Sequence, residues 1–166
     1  MPYYMSRKPS NGGRGTKSSA VDKADRQFSR FIRLRDAIPG GAFKCISCGR
    51  FKRIEQADCG HFHSRKHMAT RFDELNAHAE CRACNRFSAD HLIKYQENLI
   101  RLIGEEEFGR LNIRAKGIKQ WSETDLKELA KYYKALADRL SKEKGINISN
   151  LQYGKESERD NQEEGR

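Results

Sequence analysis

Long apolar runs are missing from this sequence. No run of consecutive apolar residues is longer than three, whereas a membrane-spanning helix needs about 20 and a signal-peptide core about 7–15. We therefore expect neither a membrane span nor a secretory signal, and we expect a cytoplasmic location. Hydrophobic residues are 36% of the chain and charged residues 34%, so the core should be modest.

Acidic residues are absent from residues 1–20, which carry four basic side chains. The whole chain has a formal net charge of +10, although the tail from Gly154 holds five acids against three bases. A basic field attracts polyanions such as nucleic acids. On charge alone, a merely solubilising surface is an equally good interpretation.

Cysteine is scarce, and its count of five is odd. Without a secretory signal, metal binding in a reducing compartment is favoured over disulfides. Cys45 and Cys48 form one C-x2-C pair, and Cys81 and Cys84 form another after 32 intervening residues. Two such pairs predict a closed structural zinc site, since a redox pair would need a thioredoxin-like setting that the sequence lacks. Cys59 is the expected cysteine outside the site.

The organisation expected along the chain is a disordered basic arm, one domain and a flexible acidic tail. We expect a mostly helical α+β fold in which the segment between and around the cysteine pairs is the only part with strands. The predicted segments are an arm over 1–20, a domain over 21–143 and a tail over 144–166. Within the domain we expect a helix over 21–38, short strands within 43–64, a loop over 65–80, a helix from Ser88 to Gly104, a short helix over Glu105–Leu111 and a last helix from Ser122 to Gly145.

The last helix has the clearest signals. Ser122 and Asp125 form a variant of the capping box, and Gly145 suits a helix end. Its apolar residues step by three and four, which is the spacing of a coiled-coil seam: Leu126, Leu129, Tyr133, Leu136 and Leu140. Because two heptads alone are marginal, packing within the domain is favoured over a dimer contact.

The segment between the cysteine pairs is rich in histidine. It contains the stretch DCGHFHSR, from Asp58 to Arg65, and Asn76 lies five residues before Cys81. Order and spacing resemble the ββα-metal site of zinc-containing HNH endonucleases, in which a hairpin histidine, a steadying asparagine and a helix follow one another. The resemblance implies an HNH-type core at about 43–103, flanked by the N-terminal and C-terminal helices.

A second resemblance covers more of the chain. The stretches FIRLRD, CISCG, DCGHF, RFDELNAHAECRACN and W-S-x4-K-x4-Y, between Phe28 and Leu140, are similar to the phage lambda NinG (Rap) recombination protein family. The chain differs from the lambda protein at Cys59, His63 and His91. The resemblance implies a structure-specific endonuclease for branched DNA such as Holliday junctions and forks. It also implies a location in the bacterial host cytoplasm if a phage encodes the chain.

Phosphodiester hydrolysis assigns roles to these residues. A histidine of near-neutral pKa can take a proton from water, and a divalent cation can stabilise the leaving oxygen. We expect His61 to be the general base and Asn76 to orient it. Asp58 and Asn85, with His91 as a further ligand, would hold Mg²⁺ or Mn²⁺ because oxygen ligands suit these ions.

Strand alternation makes Asp58 the weakest member of this set. Residues three apart on a regular strand point to opposite faces, so Asp58 and His61 would diverge. A bulge at Cys59-Gly60 would bring them together, and the glycine makes one plausible. We expect His63 and His78 to contact the ligand residues without binding the ion themselves, and for His78 a purely structural role is an equal alternative.

Basic residues surround the site in the sequence and could contact DNA phosphates: Arg65, Lys66, Arg71, Arg82 and Arg86. We expect branched DNA as the partner, a homodimer because symmetric junction cutting needs two sites, and no small-molecule substrate or membrane. A zinc module that binds nucleic acid without cutting it is the alternative, and a zinc-ribbon adaptor for another protein is a third interpretation.

Overall fold

The computed structural model describes residues 14–147 together with Ser149 and Leu151, with side chains from Ser19 onward. Residues 1–13 of the expected basic arm, and most of the expected acidic tail, lie outside this part. Among the described residues, no helix combines the length and apolar composition that a bilayer span requires. The fold mixes helices and strands and is dominated by helix, so the predicted α+β class is confirmed at that level.

Five helices and four short strands follow one another along the described chain. Their order is α1 (Arg14–Asp36), β1 (Ala42–Lys44), β2 (Phe51–Arg53), β3 (Ala57–His61), β4 (Ala77–Cys81), α2 (Arg82–Phe87), α3 (His91–Ile103), α4 (Glu105–Ala115) and α5 (Glu123–Lys144). The strands form two separate antiparallel pairs, β1 with β2 and β3 with β4. A single 3-10 turn, Ile54–Gln56, joins the two pairs.

The two long helices, α1 and α5, form the main core. Phe28 of α1 packs edge-on against Tyr133 of α5, with ring centroids 4.9 Å apart. Leu126 and Ala137 of α5 are buried in the same cluster. Helix α1 begins seven residues before the predicted start at Val21 and ends two residues before the predicted end. Residues 14–20 of the expected disordered arm are therefore helical.

The apolar seam of α5 is used inside the domain. Leu126 and Tyr133 are buried, and Leu129, Leu136 and Leu140 pack against the same core as α1. Packing within the domain, the favoured interpretation, is confirmed, and the seam is not available as a dimer contact. The adaptor interpretation loses its only support with it.

The start and end of α5 agree with the sequence signals. Ser122 Oγ accepts a hydrogen bond from the Asp125 N–H, and the Asp125 carboxylate accepts one from the Ser122 N–H. Gly145 ends the helix with a φ of 65°, a left-handed conformation that glycine adopts without strain. Lys144 then donates to the carbonyl oxygens of Leu34, Arg35 and Ala37 at the end of α1. The last turn of α5 thereby caps α1.

Two short-range predictions need correction. The predicted loop over 65–80 includes most of β4, whose residues Ala-His-Ala-Glu-Cys contain none of the β-branched or aromatic types that mark strands. The predicted flexible tail over 144–166 begins too early, because Ile146 and Leu151 are buried in the α1–α5 core. Their apolar side chains gain stability by leaving water there.

Candidate metal centre and polar hairpin face

Four cysteines from three parts of the fold come together. Cys45 follows β1, Cys48 lies in the turn before β2, Cys81 ends β4 and Cys84 lies in α2. Their sulfur atoms all lie within 4.8 Å of one another, and the Cys48 and Cys81 sulfurs are 3.9 Å apart. Four sulfurs at about 2.3 Å from a zinc ion would be about 3.8 Å apart. The predicted cysteine set is therefore assembled and fits a metal such as zinc.

Burial and hydrogen bonds give three of these thiols different pKa values. Burial opposes ionisation of Cys48, but hydrogen bonds from the Arg50 backbone and guanidinium hold the pKa of Cys48 lower, at about 6. Burial raises the pKa of Cys45 to about 11 and raises that of Cys84 further. The Cys81 N–H donates to the Cys45 sulfur at 3.3 Å. Metal binding here would release protons, because thiolates are the ligands.

Cys59 lies apart from the four-cysteine cluster, as predicted. Its side chain packs against the α1–α5 core, and burial raises the pKa of its thiol to about 12. A protonated thiol packed against apolar neighbours behaves as a small apolar side chain.

The β3–β4 hairpin has a continuous register, without the bulge that would have brought Asp58 and His61 to one face. Cross-strand partners run without a break from Ala57 opposite Cys81 to His61 opposite Ala77. Asp58 therefore shares a face with Glu80 opposite it, whereas His61 points to the other face, toward α1. We call the first face, with Asp58, Gly60, His78 and Glu80, the polar hairpin face.

Gly60 is required by close packing instead of by a bulge. A Cβ at this position would lie 2.4 Å from Glu80 Oε2 and 2.9 Å from Glu80 Cβ. The Glu80 side chain is fully buried and lies directly over the Gly60 backbone. Only glycine leaves room for the carboxylate there.

His61 lies between β3 and α1. Its ring centroid is 5.9 Å from that of Phe28. Nε2 is 2.9 Å from the Arg71 carbonyl oxygen, and Nδ1 is 3.3 Å from the Cys59 carbonyl oxygen. Burial lowers the pKa of His61, which is therefore neutral at pH 7. With both nitrogens turned to carbonyls, this geometry suits a structural histidine better than the predicted general base.

Asn76 braces the segment between β3 and β4 and does not contact the His61 ring. Its Oδ1 accepts from the His63 N–H at 2.8 Å, and its Nδ2 donates to the His63 and Thr70 carbonyl oxygens at 2.9 and 3.0 Å. The predicted orienting contact is therefore wrong. A fully buried amide in an irregular segment instead satisfies backbone groups that no strand partner reaches.

The predicted ligands of the catalytic cation meet only in part. Asn85 Nδ2 donates to Asp58 Oδ2 at 3.0 Å, so these two residues are neighbours. The Arg86 guanidinium, however, donates to both Asp58 oxygens at 2.8 and 2.9 Å. Arg82 is 3.7 Å from the same carboxylate. The guanidinium supplies the positive charge that a metal ion would bring.

His91, the third predicted ligand, is engaged elsewhere. Its Nδ1 is 2.8 Å from Glu80 Oε1, and the same carboxylate accepts a hydrogen bond from Ser47, between Cys45 and Cys48. Apart from the four cysteines, the described residues hold no group of three or more His, Cys, Asp or Glu ligands close enough to share an ion. The predicted Mg²⁺ or Mn²⁺ set does not fit such an ion in this arrangement.

Glu80 is the polar residue that the sequence did not single out. It links the first cysteine pair through Ser47 to α3 through His91, and its Oε2 has no hydrogen-bond partner among the described residues. A single acid before a cysteine carries no positional signal. Only its burial in the folded chain distinguishes it.

The remaining histidines have structural contacts. His78 Nδ1 is 3.0 Å from Arg35 and 3.6 Å from Asp36, and His63 Nε2 is 2.8 Å from Asn112 Oδ1. Burial lowers the pKa of His63. Their hydrogen-bonding partners do not include the Asp58 carboxylate. That they support the ligands of a catalytic cation stays a prediction.

The five basic residues expected at DNA phosphates form two pairs, with Lys66 apart from both. Arg71 is mostly buried and pairs with the buried Asp25 of α1, and Arg65 lies 3.8 Å from the same acid. Arg82 and Arg86 surround Asp58, and Lys66 is exposed. The first two tie the β3–β4 connection to α1, whereas Arg82 and Arg86 border the polar hairpin face.

Comparison with known proteins gives a consistent result. A family model described as Bacteriophage Lambda NinG protein matches residues 14–143. Protein ninG of Escherichia phage 933W is 36% identical over 92 residues, which are 54% of this chain and 43% of that protein. Protein ninG of Escherichia phage lambda is 35% identical over 92 residues, covering 54% and 42%. That of Salmonella phage P22 is 36% identical over 90 residues, covering 53% and 41%. The aligned part spans less than half the length of these relatives, and no solved structure matches.

Proposed function

Because this chain belongs to the NinG family, we propose that it is a zinc-stabilised endonuclease that cuts branched DNA such as Holliday junctions and forks. The observation that supports this proposal is the order β3, β4, α2 with a four-cysteine cluster joining the hairpin to the helix. That order is the one expected for an HNH-type ββα core. The partly exposed edge of the polar hairpin face at Asp58, with the arginines beside it, is where a phosphodiester would lie.

The Asp58–Arg86 ion pair is the contact that DNA binding would break. The Arg86 side chain is 36% exposed and that of Asp58 is 16% exposed, so an incoming phosphate can reach the guanidinium. Arginine binds phosphate with the same two-pronged geometry that it uses for carboxylate. A DNA phosphate would therefore compete with Asp58 for Arg86, so that substrate binding would release the Asp58 carboxylate.

Metal-dependent cleavage by Mg²⁺ or Mn²⁺ stays a prediction. No step is assigned to that ion, because Asp58, Asn85 and His91 do not converge on it in this structure. The cysteine site would supply only a fixed scaffold, since four thiolates leave zinc no open position.

A nicking assay tests the proposal. Zinc-loaded protein is incubated with a synthetic four-way junction, a fork or a linear duplex, with and without magnesium or manganese. We expect nicking of branched DNA in preference to duplex. If the released Asp58 carboxylate is the group that takes a proton from the attacking water, Asp58→Asn should lose about 10²-fold or more. Asp22→Asn, which alters an exposed acid of α1, should cut like wild type. Equal cutting by Asp58→Asn and wild type would contradict the assignment.

His61→Ala separates the two roles of this histidine. If His61 were the general base, the folded and zinc-loaded variant would lose nicking. If it is structural, nicking per folded molecule persists while the free energy of unfolding falls. The contacts with the Cys59 and Arg71 carbonyls favour the second result.

A module that binds nucleic acid without cutting it is the second candidate. Two observations favour it: the ring nitrogens of His61 face carbonyls, and the Asp58 carboxylate is already paired with Arg86. The same assay decides between the two. Binding to the junction without nicking, at any divalent metal tested, would support the module and refute the nuclease.

A homodimer on branched DNA is a further part of the proposal, because paired cuts need two sites. The α5 seam is used within the chain, so the contact must lie on another surface. Sedimentation of the zinc-loaded protein alone and on a junction measures the stoichiometry. Paired cutting by a monomer would contradict the dimer.

A further inference from the structure

The hairpin formed by β1 and β2, residues 42–53, carries an aromatic side chain on its outer face. Phe51 is 64% exposed, although Phe43 on the neighbouring strand is fully buried. In the register, Phe51 lies opposite Lys44 and Phe43 lies opposite Lys52. The partly buried position of β2 is therefore taken by Lys52, and the aromatic residue faces water.

This placement is the reverse of what burial alone would select. In a strand pair with one face on the core, apolar side chains normally take the inner face and charged ones the outer face. Single exposed apolar residues are common on protein surfaces, so exposure of Phe51 by itself carries little weight. Two further observations give the exposure of Phe51 weight: the cations around it and the hydrogen bonds that hold the hairpin in place.

Cations surround Phe51 on this surface. Residues 44–53 include four basic residues and no acid. Lys44 is directly opposite Phe51, and Arg53, with a side chain 80% exposed, is two residues along the same face. Arg50, which precedes Phe51, is also exposed. Glu55 is the nearest acid in sequence and lies 3.4 Å from Arg53.

The hairpin is held firmly at both ends. Near the turn, the Cys45 N–H donates to the Arg50 carbonyl at 3.0 Å and the Gly49 N–H donates to the Cys45 carbonyl at 2.9 Å. At the other end, the Ile54 N–H donates to the Gly41 carbonyl at 2.8 Å. Because Cys45 and Cys48 also belong to the four-cysteine cluster, a bound metal would fix the turn. Phe51 is thus presented on a preorganised support.

We propose that the outer face of the β1–β2 hairpin is a DNA-binding surface on which Phe51 stacks against an unstacked base while Lys44 and Arg53 contact the flanking phosphates. Exposed aromatic rings among cations are the combination that binds unstacked nucleic acid, because every base offers a ring face and every nucleotide a phosphate. Bases become unstacked at branches. The proposal rests on the proposed function, since it names the part of the protein that distinguishes a branch from duplex.

A binding assay tests this surface without cleavage. The zinc-loaded 166-residue chain is titrated, without magnesium or manganese, into fluorescently labelled four-way junction, gapped duplex or linear duplex. Phe51→Ala should bind junction and gapped DNA about five- to 150-fold more weakly, the ratio that corresponds to ~1–3 kcal/mol of base–aromatic stacking. Its binding to linear duplex should be unchanged, and Phe51→Trp should bind branched DNA like wild type.

Matched variants separate stacking from charge. Tyr132→Ala removes an aromatic residue of α5 with similar exposure, 55%, and should bind every DNA like wild type. Lys44→Gln should lower the slope of log affinity against log salt by about one on all three DNAs, whereas Phe51→Ala should leave that slope unchanged. The metal content of each variant is measured to verify an intact cysteine site.

The outcomes also separate this surface from the nuclease proposal. Weakened branch binding by Phe51→Ala supports the surface even if the wild-type protein never nicks DNA. Wild-type affinity in metal-loaded Phe51→Ala overturns the surface even if the protein does nick junctions. The same result would be expected if the hairpin docks a protein or a second copy of the chain.

Discussion

Replacing Gly60 by alanine should destabilise the β3–β4 hairpin through a collision with Glu80. The new Cβ would lie 2.4 Å from Glu80 Oε2 and 2.9 Å from Glu80 Cβ, which is closer than carbon and oxygen atoms approach. The carboxylate cannot simply swing away, because Glu80 is fully buried and is held by Ser47 and His91. Either the strands separate or the two hydrogen bonds break.

The expected cost follows from these two terms. Overpacking a close-packed interior costs about 1–3 kcal/mol, and losing a hydrogen bond to a buried charged group costs about 1.5–3 kcal/mol. The structure can relax partly by shifting the strands and partly by weakening the Glu80 hydrogen bonds, so neither cost is incurred in full. We therefore expect Gly60→Ala to lower the free energy of unfolding by about 2–4 kcal/mol. At roughly 4 °C per kcal/mol for a domain of this size, the Tm should fall by about 8–16 °C.

Urea and thermal unfolding of metal-loaded proteins provide the assay. Gly109→Ala is the matched control, because a Cβ there meets nothing within 4 Å and Gly109 lies within α4. It should be neutral or stabilising by about 0.5–1 kcal/mol, since alanine loses less backbone freedom in a helix.

A double-mutant cycle identifies the colliding partner. Glu80→Ala removes the carboxylate but keeps the Cβ that would lie 2.9 Å from the new one, so Gly60→Ala should cost less in that background than in wild type without becoming neutral. If the cost is the same in both backgrounds, or if Gly60→Ala is as stable as wild type, the close packing of Gly60 and Glu80 is refuted.

Three further predictions concern the metal site, the end of α5 and pH. Cys84→Ser should lower the zinc content, measured by atomic absorption, and the unfolding midpoint, whereas Cys59→Ser should keep the zinc because Cys59 lies outside the cluster. Lys144→Met should lower the free energy of urea unfolding by about 1–3 kcal/mol by removing donors to three carbonyls of α1, and equal stability of Lys144→Met and the exposed control Lys142→Met would contradict this. Because burial lowers the folded-state pKa of His61 below 6.5, the unfolded chain takes up its proton first, so this histidine should reduce stability progressively as pH falls below 6.5. In NMR, the folded His61 ring should stay neutral at pH 6.5 with the proton on Nε2, and a titration at or above that pH would refute its burial.

Local chemistry determined part of this protein. The span of α5 was predictable because Ser122, Asp125 and Gly145 act within one helical turn of each end. The cysteine set was predictable because spacing within each C-x2-C pair is short enough for both sulfurs to face one ion. The proximity of Asp58 and Asn85 was also predicted, but the pairing of Asp58 with Arg86 was not.

Only the tertiary structure decided which way the hairpin residues face. A regular register puts Asp58 and His61 on opposite faces of the hairpin, whereas a bulge between them would put both on one face. Gly60 is compatible with either arrangement. The close approach of Glu80 to Gly60 and the packing of α1 against the other face select the regular register. The same kind of long-range contact assigns the α5 seam to α1 instead of a second chain. Sequence spacing fixes which side chains can share one turn or one ion, whereas the direction in which a strand presents its residues depends on elements that lie far away along the chain.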